Sequence, residues 1–312
     1  MMGEDSTTAE HEVKSSASTT IFSTFGKKDT KEIEIVKFDS VDYSHPSGVA
    51  ALVNVSLSIT RGEFVAVLGT NGAGKSTLVR HINGLLKPTH GTVSVFGEST
   101  RERTSAFLSR GVGMVFQNAN NQLFAQTVRQ ELEFALKNFG FDRQTIQDRV
   151  EWALNTFSLK EYVDKPPMEL SGGEKKRLCI ALVLAWDPEI LILDEPTVGQ
   201  DYEQKALLGQ IIMKLLGEGK TVMVVTHDVE FIWPLQPRVI LMSQGRIIAD
   251  GSSQEILGNP AVLSKGDVLP PQLVELSRLL GWKNYYPKDV FEAESRIIEQ
   301  RYNIRVPDRK ET

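Results

Sequence analysis

One octapeptide holds residue types that bind phosphate, at a suitable spacing: Gly69-Thr70-Asn71-Gly72-Ala73-Gly74-Lys75-Ser76. Its three glycines permit turn conformations that a β-carbon would obstruct, so that successive backbone N–H groups converge on an anion. Lys75 supplies a positive charge for β- and γ-phosphates, and the Ser76 hydroxyl can bind Mg²⁺. The run fits the phosphate-binding loop (P-loop) pattern at every fixed position.

The residues on either side of this loop have the pattern that positions it. An apolar run from Phe64 to Leu68 predicts a strand before the loop, and a helical pattern from Thr77 to Leu86 follows it. The positive end of that helix adds to the attraction for an anion. We therefore predict a nucleoside triphosphate site that includes Asn71 and Thr77. The strand–loop–helix context disfavours the alternative, a glycine-rich turn before an ordinary helix.

Two acidic residues follow a second apolar run, in Ile190-Leu191-Ile192-Leu193-Asp194-Glu195. A buried parallel strand presents whatever follows it at the carboxyl edge of the sheet, where α/β proteins bind their ligands. Asp194 is then placed to hold Mg²⁺, and Glu195 is placed to orient or deprotonate an attacking water. On its own the pair would more often be two solvated acids, but the phosphate loop favours the functional interpretation.

A third element, Leu170-Ser171-Gly172-Gly173-Glu174, has the spacing of a helix capping box, since Ser171 and Glu174 are three residues apart. Its two glycines expose N–H groups at a helix N-terminus, which makes a second anion site. Structural capping and anion binding are compatible here. Two anion sites and a metal-binding carboxylate together indicate one nucleotide contacted from two sides.

Composition limits the classes of protein that fit. Apolar residues at 41% and charged residues at 24% are typical of a globular chain, and a net charge of −5 gives no support for a nucleic-acid surface. The single cysteine, Cys179, is expected to be a small core residue. No apolar run is long enough to cross a bilayer. Residues 1–31 are rich in Ser, Thr and charge and predict a disordered tail.

The remaining pattern predicts an α/β fold. Alternation in Glu32–Phe38 indicates a half-buried edge strand, and Ile190–Leu193 and Val222–Val225 read as buried parallel strands. Helices are expected from Thr127 to Phe139 and from Gly172 to Ala185, and a hairpin-like pair of strands is expected at Val239–Met242 and Arg246–Ala249. We divide the chain into a cassette at 32–265, which contains a helical subdomain at about 118–178, and a C-terminal helical extension at 266–312. The extension is expected to hold two short amphipathic helices, one ending at Leu280-Gly281 and one spanning about Lys288–Tyr302.

Because these motifs follow one another along the chain in the same order, the chain resembles the nucleotide-binding domain of ABC transporters over roughly Ile33 to Asp250. The resemblance implies a P-loop NTPase (RecA-like) fold with an antiparallel β subdomain, and a dimer in which Ser171, Gly172 and Gly173 act on the partner's nucleotide. Further roles follow from the same resemblance. Gln117 corresponds to the Q-loop glutamine that contacts metal and water, His227 to the switch histidine at the γ-phosphate, Asp201 to the D-loop aspartate and Tyr43 to the aromatic residue that stacks on adenine.

His227 and Tyr43 have ordinary structural alternatives. A lone histidine after a buried strand is as often a structural hydrogen-bonding residue, and a tyrosine at a strand end is commonly a packing residue. The sequence departs from the usual family pattern at Glu174, where many members have glutamine, and in the D-loop, which reads Gly199-Gln200-Asp201. Neither departure removes a metal ligand or the general base, so we expect hydrolysis.

A narrower resemblance is carried by the run Phe116-Gln117-Asn118-Ala119-Asn120-Asn121-Gln122-Leu123-Phe124, by Gly-Gln-Asp in the D-loop and by Leu269-Pro270-Pro271-Gln272. These look like the ATPases of energy-coupling factor (ECF) importers, although Ala119-Asn120 replace a proline and an acid. That resemblance implies ATP and Mg²⁺ as cofactors, a second ATPase subunit, integral membrane partners and a peripheral position at the cytoplasmic face of the membrane. It also implies that Leu123 and Phe124 offer a groove to a partner's coupling helix. The helical tail from Val268 onward resembles the extension through which those ATPases pair, and a generic C-terminal helical cap is the alternative.

The predicted function is therefore an ATP-hydrolysing subunit of an ECF-type importer of vitamins, their precursors or metal ions. The ATPase of a conventional ABC transporter is the first alternative. A soluble ABC ATPase acting in translation or DNA repair is the second, which one cassette and the lack of a heptad run or zinc insertion disfavour.

Overall fold

A computed structural model describes residues 33–282 and 285–302. The predicted disordered tail and the end of the predicted C-terminal extension lie outside these residues. The strands are β1 (Glu34–Ser44), β2 (Ala50–Thr60), β3 (Phe64–Leu68), β4 (His90–Val95), β5 (Glu98–Ser99), β6 (Val112–Val115), β7 (Ile190–Asp194), β8 (Thr221–Val225), β9 (Arg238–Ser243) and β10 (Arg246–Ser252).

Helices and short 3-10 turns connect these strands. The α-helices are α1 (Lys75–Ile82), α2 (Ser105–Leu108), α3 (Val128–Asn138), α4 (Arg143–Thr156), α5 (Gly172–Ala185), α6 (Tyr202–Gly217), α7 (Val229–Ile232), α8 (Ser253–Leu257), α9 (Pro260–Leu263), α10 (Gln272–Leu279) and α11 (Val290–Tyr302). The 3-10 turns are Ala119–Asn121, Lys160–Tyr162, Pro167–Glu169, Trp233–Leu235 and Ser264–Gly266. None of the described helices is both long and apolar enough to cross a membrane.

The central sheet has six strands in the order β10-β9-β3-β8-β7-β6. All its neighbouring strands are parallel except β10, which forms the predicted hairpin with β9. Every residue of β3, β7 and β8 is buried, because elements cover both faces of the sheet. Along β3, Val65 and Val67 face one apolar cluster, whereas Phe64, Ala66 and Leu68 face the other.

The antiparallel sheet has the order β2-β1-β4-β5, and it shares one apolar cluster with β3 and α1. The expectation that the first strand lies at an edge is wrong, because β1 pairs with β2 on one side and with β4 on the other. Its alternating pattern reports one buried face and one exposed face. That pattern is the same for an inner strand and an edge strand when only one face of the sheet is covered.

The helical part between β6 and β7 packs α3 and α4 against α5. Helix α3 begins where expected, since Thr127 accepts a hydrogen bond from the N–H of Gln130. Helix α5 is apolar on nearly all sides after its first two turns, because it lies between the sheet and the other two helices. This packing places the N-terminus of α5 at the surface, where Ser171 and Gly172 are exposed.

The two helices predicted for the C-terminal extension are present as α10 and α11. A buried tryptophan in the core, Trp233, donates a hydrogen bond of 2.7 Å from Nε1 to the carbonyl of Pro287, and its ring lies edge-on to Tyr286. The segment before α11 is therefore attached to the core.

A glycine in β6 sets how closely α5 approaches the sheet. A β-carbon at Gly113 would overlap Val183 Cγ1 and lie 2.8 Å from Pro188 Cγ. We expect Gly113→Ala to lower the free energy of unfolding by about 1–3 kcal/mol, because added volume in a packed core forces its neighbours apart. Urea unfolding would measure the loss.

Gly217→Ala at the end of α6 is the matched control, since nothing lies within 4 Å of its β-carbon position. It should be neutral or stabilise by up to about 1 kcal/mol. Equal stability of the two variants would contradict the close packing of α5 on β6.

Candidate nucleotide-binding site

The phosphate loop follows β3 and adopts conformations that require glycine. Gly69, Gly72 and Gly74 have φ of 145°, 83° and 99°, a range that residues with a β-carbon rarely adopt. At Gly69 a β-carbon would also overlap the carbonyl oxygen of Met242, and at Gly74 that of Ala51. The backbone of the loop therefore lies directly against its neighbours at two of its three glycines.

Hydrogen bonds link the loop to the turn between β9 and β10, and that turn to β2. The N–H of Gly245, in the turn between β9 and β10, donates to the carbonyl of Ala73 at 3.0 Å. The carbonyl of Gly245 accepts from the N–H of Val53 in β2 at 2.9 Å. The loop is thereby fixed by elements far from it in sequence, with Asn71 and Gly72 on its exposed side.

The Lys75 side chain is folded back over the loop. Its Nζ donates to the carbonyl of Gly69 at 2.7 Å and to that of Thr70 at 3.0 Å, and the residue is 6% exposed. Burial lowers the pKa of Lys75, while Coulomb attraction to Glu195 and Asp194 acts in the opposite direction. The ammonium group is thus held at the loop within the field of two carboxylates.

The metal-binding oxygens predicted from separate motifs lie next to each other. Ser76 Oγ, at the start of α1, donates to Asp194 Oδ1 at 3.2 Å across 118 residues of sequence. Burial raises the pKa of Asp194, and the hydrogen bond from Ser76 lowers it. A hydroxyl beside a carboxylate is a pair of hard oxygen donors, which is the ligand type that Mg²⁺ prefers.

Glu195 leaves the end of β7 in a left-handed conformation, with φ of 48°, and is 5% exposed. Its N–H donates to the carbonyl of Val225 at 2.7 Å. Its Oε2 lies 3.0 Å from Nδ1 of His227 and accepts from Thr226 Oγ1 at 3.3 Å. The predicted base and the predicted switch histidine are therefore in contact, with the histidine side chain 62% exposed.

Gln117 is exposed at the end of β6, and its carbonyl accepts a hydrogen bond of 3.2 Å from Nζ of Lys176. Contact of the Gln117 side chain with metal and water stays a prediction. Sequence reasoning missed Lys176, whose neighbours Lys175 and Arg177 make it look solvated. The signal lay in the spacing, since Lys176, Cys179 and Val183 recur on one helix face and all three are buried.

The capping box at the start of α5 is present, with Ser171 and Glu174 each bonded to the other's backbone N–H. Glu174, the residue that departs from the family pattern, also bonds the hydroxyl of Tyr162. This bond lowers the pKa of Glu174 and raises that of Tyr162 to about 12. Glu174 therefore carries its negative charge at neutral pH.

Asp201 caps helix α6 by accepting the N–H of Gln204 at 2.8 Å. The amide of Gln204 packs on Gly173, where a β-carbon would lie 2.7 Å from Nε2. Gln204 therefore connects Asp201 of the D-loop with Gly173 at the start of α5. The sequence motifs did not indicate this role of Gln204.

Tyr43 lies in β1, half-buried, with its ring 4.9 Å from that of His81 and 5.2 Å from that of His45. His81 belongs to the helix after the phosphate loop, and its Nδ1 lies 2.8 Å from the carbonyl of Thr77. The observed contact of Tyr43 is therefore a packing contact with that helix, and stacking on adenine stays a prediction.

Of the two residues predicted to form a groove for a partner, only Phe124 is exposed. Leu123 is 3% exposed and belongs to the core, whereas Phe124 is 62% exposed and lies edge-on to Phe134 at 4.6 Å. Of these two adjacent residues, only Leu123 points into the core. The N–H groups of Phe124 and Ala125 both donate to Glu131, which is 1% exposed and fixes this turn.

The burial of Cys179 agrees with the expectation of a core residue, and burial raises the pKa of its thiol to about 12.

Taken together, the phosphate loop after β3, the acidic pair after β7 and the helical part that carries a capped glycine turn define a P-loop nucleoside triphosphatase of the ATP-binding cassette type.

Comparisons with known proteins agree with this class. The family described as "ABC transporter" matches residues 52–198. The energy-coupling factor transporter ATP-binding protein EcfA of Methanococcus maripaludis is 38% identical over 248 residues, which cover 79% of this chain and 89% of that protein. The chain belongs to the ATP-binding proteins of the ABC transporter family, as the order of its motifs indicated.

Solved structures give the same result for the fold. The structure of cbiO1 from Clostridium perfringens, described as part of the ABC transporter complex cbiONQ, has a TM-score of 0.67 and 34% identity, and the match covers 80% of this chain and all of that one. A dimeric ATP-binding cassette in a post-hydrolysis state, bound to ADP and Pi, has a TM-score of 0.63 and 31% identity over 69% of this chain and 97% of that one. The predicted fold class and the ATPase class are confirmed.

The position of Lys75 allows a direct test of the phosphate loop. We expect Lys75→Ala to weaken ATP binding by about tenfold or more, because a charged hydrogen bond to phosphate contributes roughly 1.5–3 kcal/mol. Equilibrium titration with a fluorescent ATP analogue would measure the change. Lys87→Ala is the control, since Lys87 also donates to backbone carbonyls, Thr100 and Arg103, away from the loop. Equal affinities of all three proteins would refute the assignment of Lys75.

Proposed function

We propose that this chain hydrolyses ATP at the described site and energises an ECF-type membrane transporter. The observation that carries the proposal is the convergence of Lys75, Ser76, Asp194 and Glu195 beside one loop, although these residues come from two distant parts of the chain, the start of α1 and the end of β7. The loop offers N–H groups and an ammonium to phosphate, and the acidic pair offers a metal ligand and a base. Binding and hydrolysis need both halves.

Phosphate oxygens could take the place of the groups that now accept hydrogen bonds from the loop lysine. Lys75 donates to two loop carbonyls, and a triphosphate would replace them as the acceptor of its hydrogen bonds. Ser76 and Asp194 fit Mg²⁺, since their oxygens are already adjacent, and Gln117 would approach from the end of β6. When bound, Mg²⁺ neutralises charge on the β- and γ-phosphates.

Glu195 would orient and deprotonate the attacking water. Its carboxylate is almost completely buried and faces His227 and Thr226, so its direction is fixed before ATP binds. His227 is exposed enough to contact a γ-phosphate while it remains beside the carboxylate. A well-placed general base contributes about 10²–10⁴-fold to the rate.

A second ATPase subunit would complete each site. Ser171 and Gly172 are exposed at the N-terminus of a 14-residue helix, and the carboxylate of Asp201 faces the surface as a helix cap. These groups would contact the nucleotide and the loops of the partner cassette. The dimeric arrangement of the related cassette bound to ADP and Pi supports this arrangement.

The membrane partners would dock on the helical part. Phe124 and Phe134 form an exposed aromatic pair, and buried Glu131 fixes the turn that carries Phe124. Such a pair suits a helix presented by a partner. The relatives named as ECF ATP-binding proteins, and the cbiO1 neighbour in a transporter complex, support a transporter of this type and peripheral attachment at the cytoplasmic face of the membrane.

The domain division is part of the same proposal. The cassette would comprise residues 32–265, with α3, α4 and α5 in its helical subdomain, and the extension would begin at 266. Apolar residues of α10 and α11, among them Leu276, Val290 and Ile297, line a groove at the surface. Pairing of two ATPase subunits through this extension is expected from the resemblance to ECF ATPases.

Glu195→Gln separates binding from hydrolysis. We expect the variant to bind ATP with unchanged affinity and to release phosphate about 10²-fold or more slowly, because the amide cannot accept the proton of water. Phosphate release and equilibrium ATP binding would be measured on the same preparation. Glu189→Gln is the control, a partly buried acid before β7 that pairs with Arg61. A turnover rate of Glu195→Gln equal to that of the wild type would rule out the base assignment.

The transporter class is tested by isolation of the native complex. We expect gentle-detergent affinity purification from native membranes to retain a second ATP-binding cassette, a multi-span scaffold and a small membrane protein, identified by mass spectrometry. Recovery with a conventional permease pair would favour the first alternative. Recovery only in the soluble fraction, with ribosomes or DNA, would contradict a transport function.

A further inference from the structure

One lysine outside the known motifs lies at the centre of the site. Lys176, in the second turn of α5, is 4% exposed, and its Nζ donates to three backbone carbonyls. The acceptors are Phe116 at 3.4 Å, Gln117 at 3.2 Å and Glu195 at 3.2 Å. Two acceptors belong to the end of β6 and one to the end of β7, so a single ammonium group joins three elements.

A buried ammonium is costly unless its hydrogen bonds are made, and here three N–H groups meet three oxygens. Burial lowers the pKa of Lys176, opposed by Coulomb interactions with Cys179, Asp194 and Glu195. Backbone carbonyls, and not a carboxylate, accept its hydrogen bonds within the described part of the chain. A lysine that only filled the core would be expected to extend its ammonium to solvent.

The acceptor on Glu195 is the important one, because that residue is strained. A left-handed backbone costs a residue with a β-carbon roughly 1–2 kcal/mol and persists only where neighbours hold it. At Glu195 the N–H is held by the carbonyl of Val225 and the C=O by Lys176. These two bonds lie on opposite sides of the Cα atom, so together they set the direction of the carboxylate.

We propose that Lys176 is a positioning residue for hydrolysis, which holds the backbone of Glu195 and the loop after β6 in one arrangement. Since Ser171, Gly172 and Gly173 begin the same helix, α5 connects the surface turn to the base of its own chain. This inference rests on the proposed ATP hydrolysis at Glu195.

The test compares Lys176→Met, which is one atom shorter and has no N–H groups, with Lys176→Gln, which is as long as methionine and keeps two N–H groups. For Lys176→Met we expect kcat to fall about 10²-fold, as for a displaced catalytic group, with the Kd for ATP within about threefold of wild type. Lys176→Gln should lose about tenfold in kcat, because it reaches fewer of the carbonyls.

Lys220→Met is the matched control. Lys220 pairs with Asp187 and donates to the Asp187 carbonyl at the amino-terminal edge of the same sheet. Its kcat should equal that of the wild type, even where unfolding by urea shows a loss of stability. Circular dichroism and urea unfolding on each variant ensure that kcat is compared at an equal folded fraction.

A double-mutant comparison identifies the route of the effect. If Lys176 acts through Glu195, adding Lys176→Met to Glu195→Gln should reduce the residual rate by less than about threefold. A full additional loss in that background would overturn the proposal, as would a folded Lys176→Met or Lys176→Gln protein with wild-type kcat. If Lys176→Met does not fold, Lys176→Gln decides alone. A wild-type chain that fails to hydrolyse ATP would instead refute the proposed function.

Discussion

Complete burial of β3, β7 and β8 is the constraint on which the rest of the structure depends. Every residue of these strands is buried and apolar apart from Thr221 and Asp194 at strand ends. Polar groups are therefore excluded from the body of the sheet and collect where the strands end. The phosphate loop, the acidic pair and His227 follow three adjacent strands at one edge, and so a stable core and a reactive edge have the same cause.

The charged groups at that edge are buried together, and attraction between the lysines and the acids makes the burial of both lysines less costly. Lys75, Lys176, Asp194 and Glu195 are all at most 6% exposed. Burial acts against the charge of Lys75, Lys176 and Asp194, and opposite charges nearby act to preserve the charge of both lysines. Hydrogen bonds and charges interact more strongly among such buried groups than among groups exposed to water.

The first two turns of helix α5 lie in two different environments. Its first residues are exposed, glycine-rich and capped by Ser171, which leaves N–H groups free to meet an anion outside the chain. One turn later the helix enters the core, where Lys176 meets the ends of β6 and β7. The sequence changes from Gly-Gly to an apolar run within a few residues because the surroundings of the helix change over one turn.

The sequence by itself determined the local features of this protein. The phosphate loop, the capping box at Ser171, the buried strands and the hairpin of β9 and β10 could be predicted because each depends on neighbouring residues, on glycine conformations or on apolar periodicity. The family resemblance supplied the predicted roles of residues such as Gln117 and His227, and the comparisons confirm the family and the fold class.

Only the tertiary structure decided which distant groups meet. It put Ser76 beside Asp194, placed β1 inside its sheet, turned Leu123 into the core and buried Lys176 against three carbonyls. These outcomes depend on strand order and on the packing of α5 across long stretches of sequence. An alternating strand pattern is the same whether or not another strand pairs with its outer side, so the sequence carried no local signal for strand order. A run of basic residues likewise does not show which of them is buried, and the signal for Lys176 was weak.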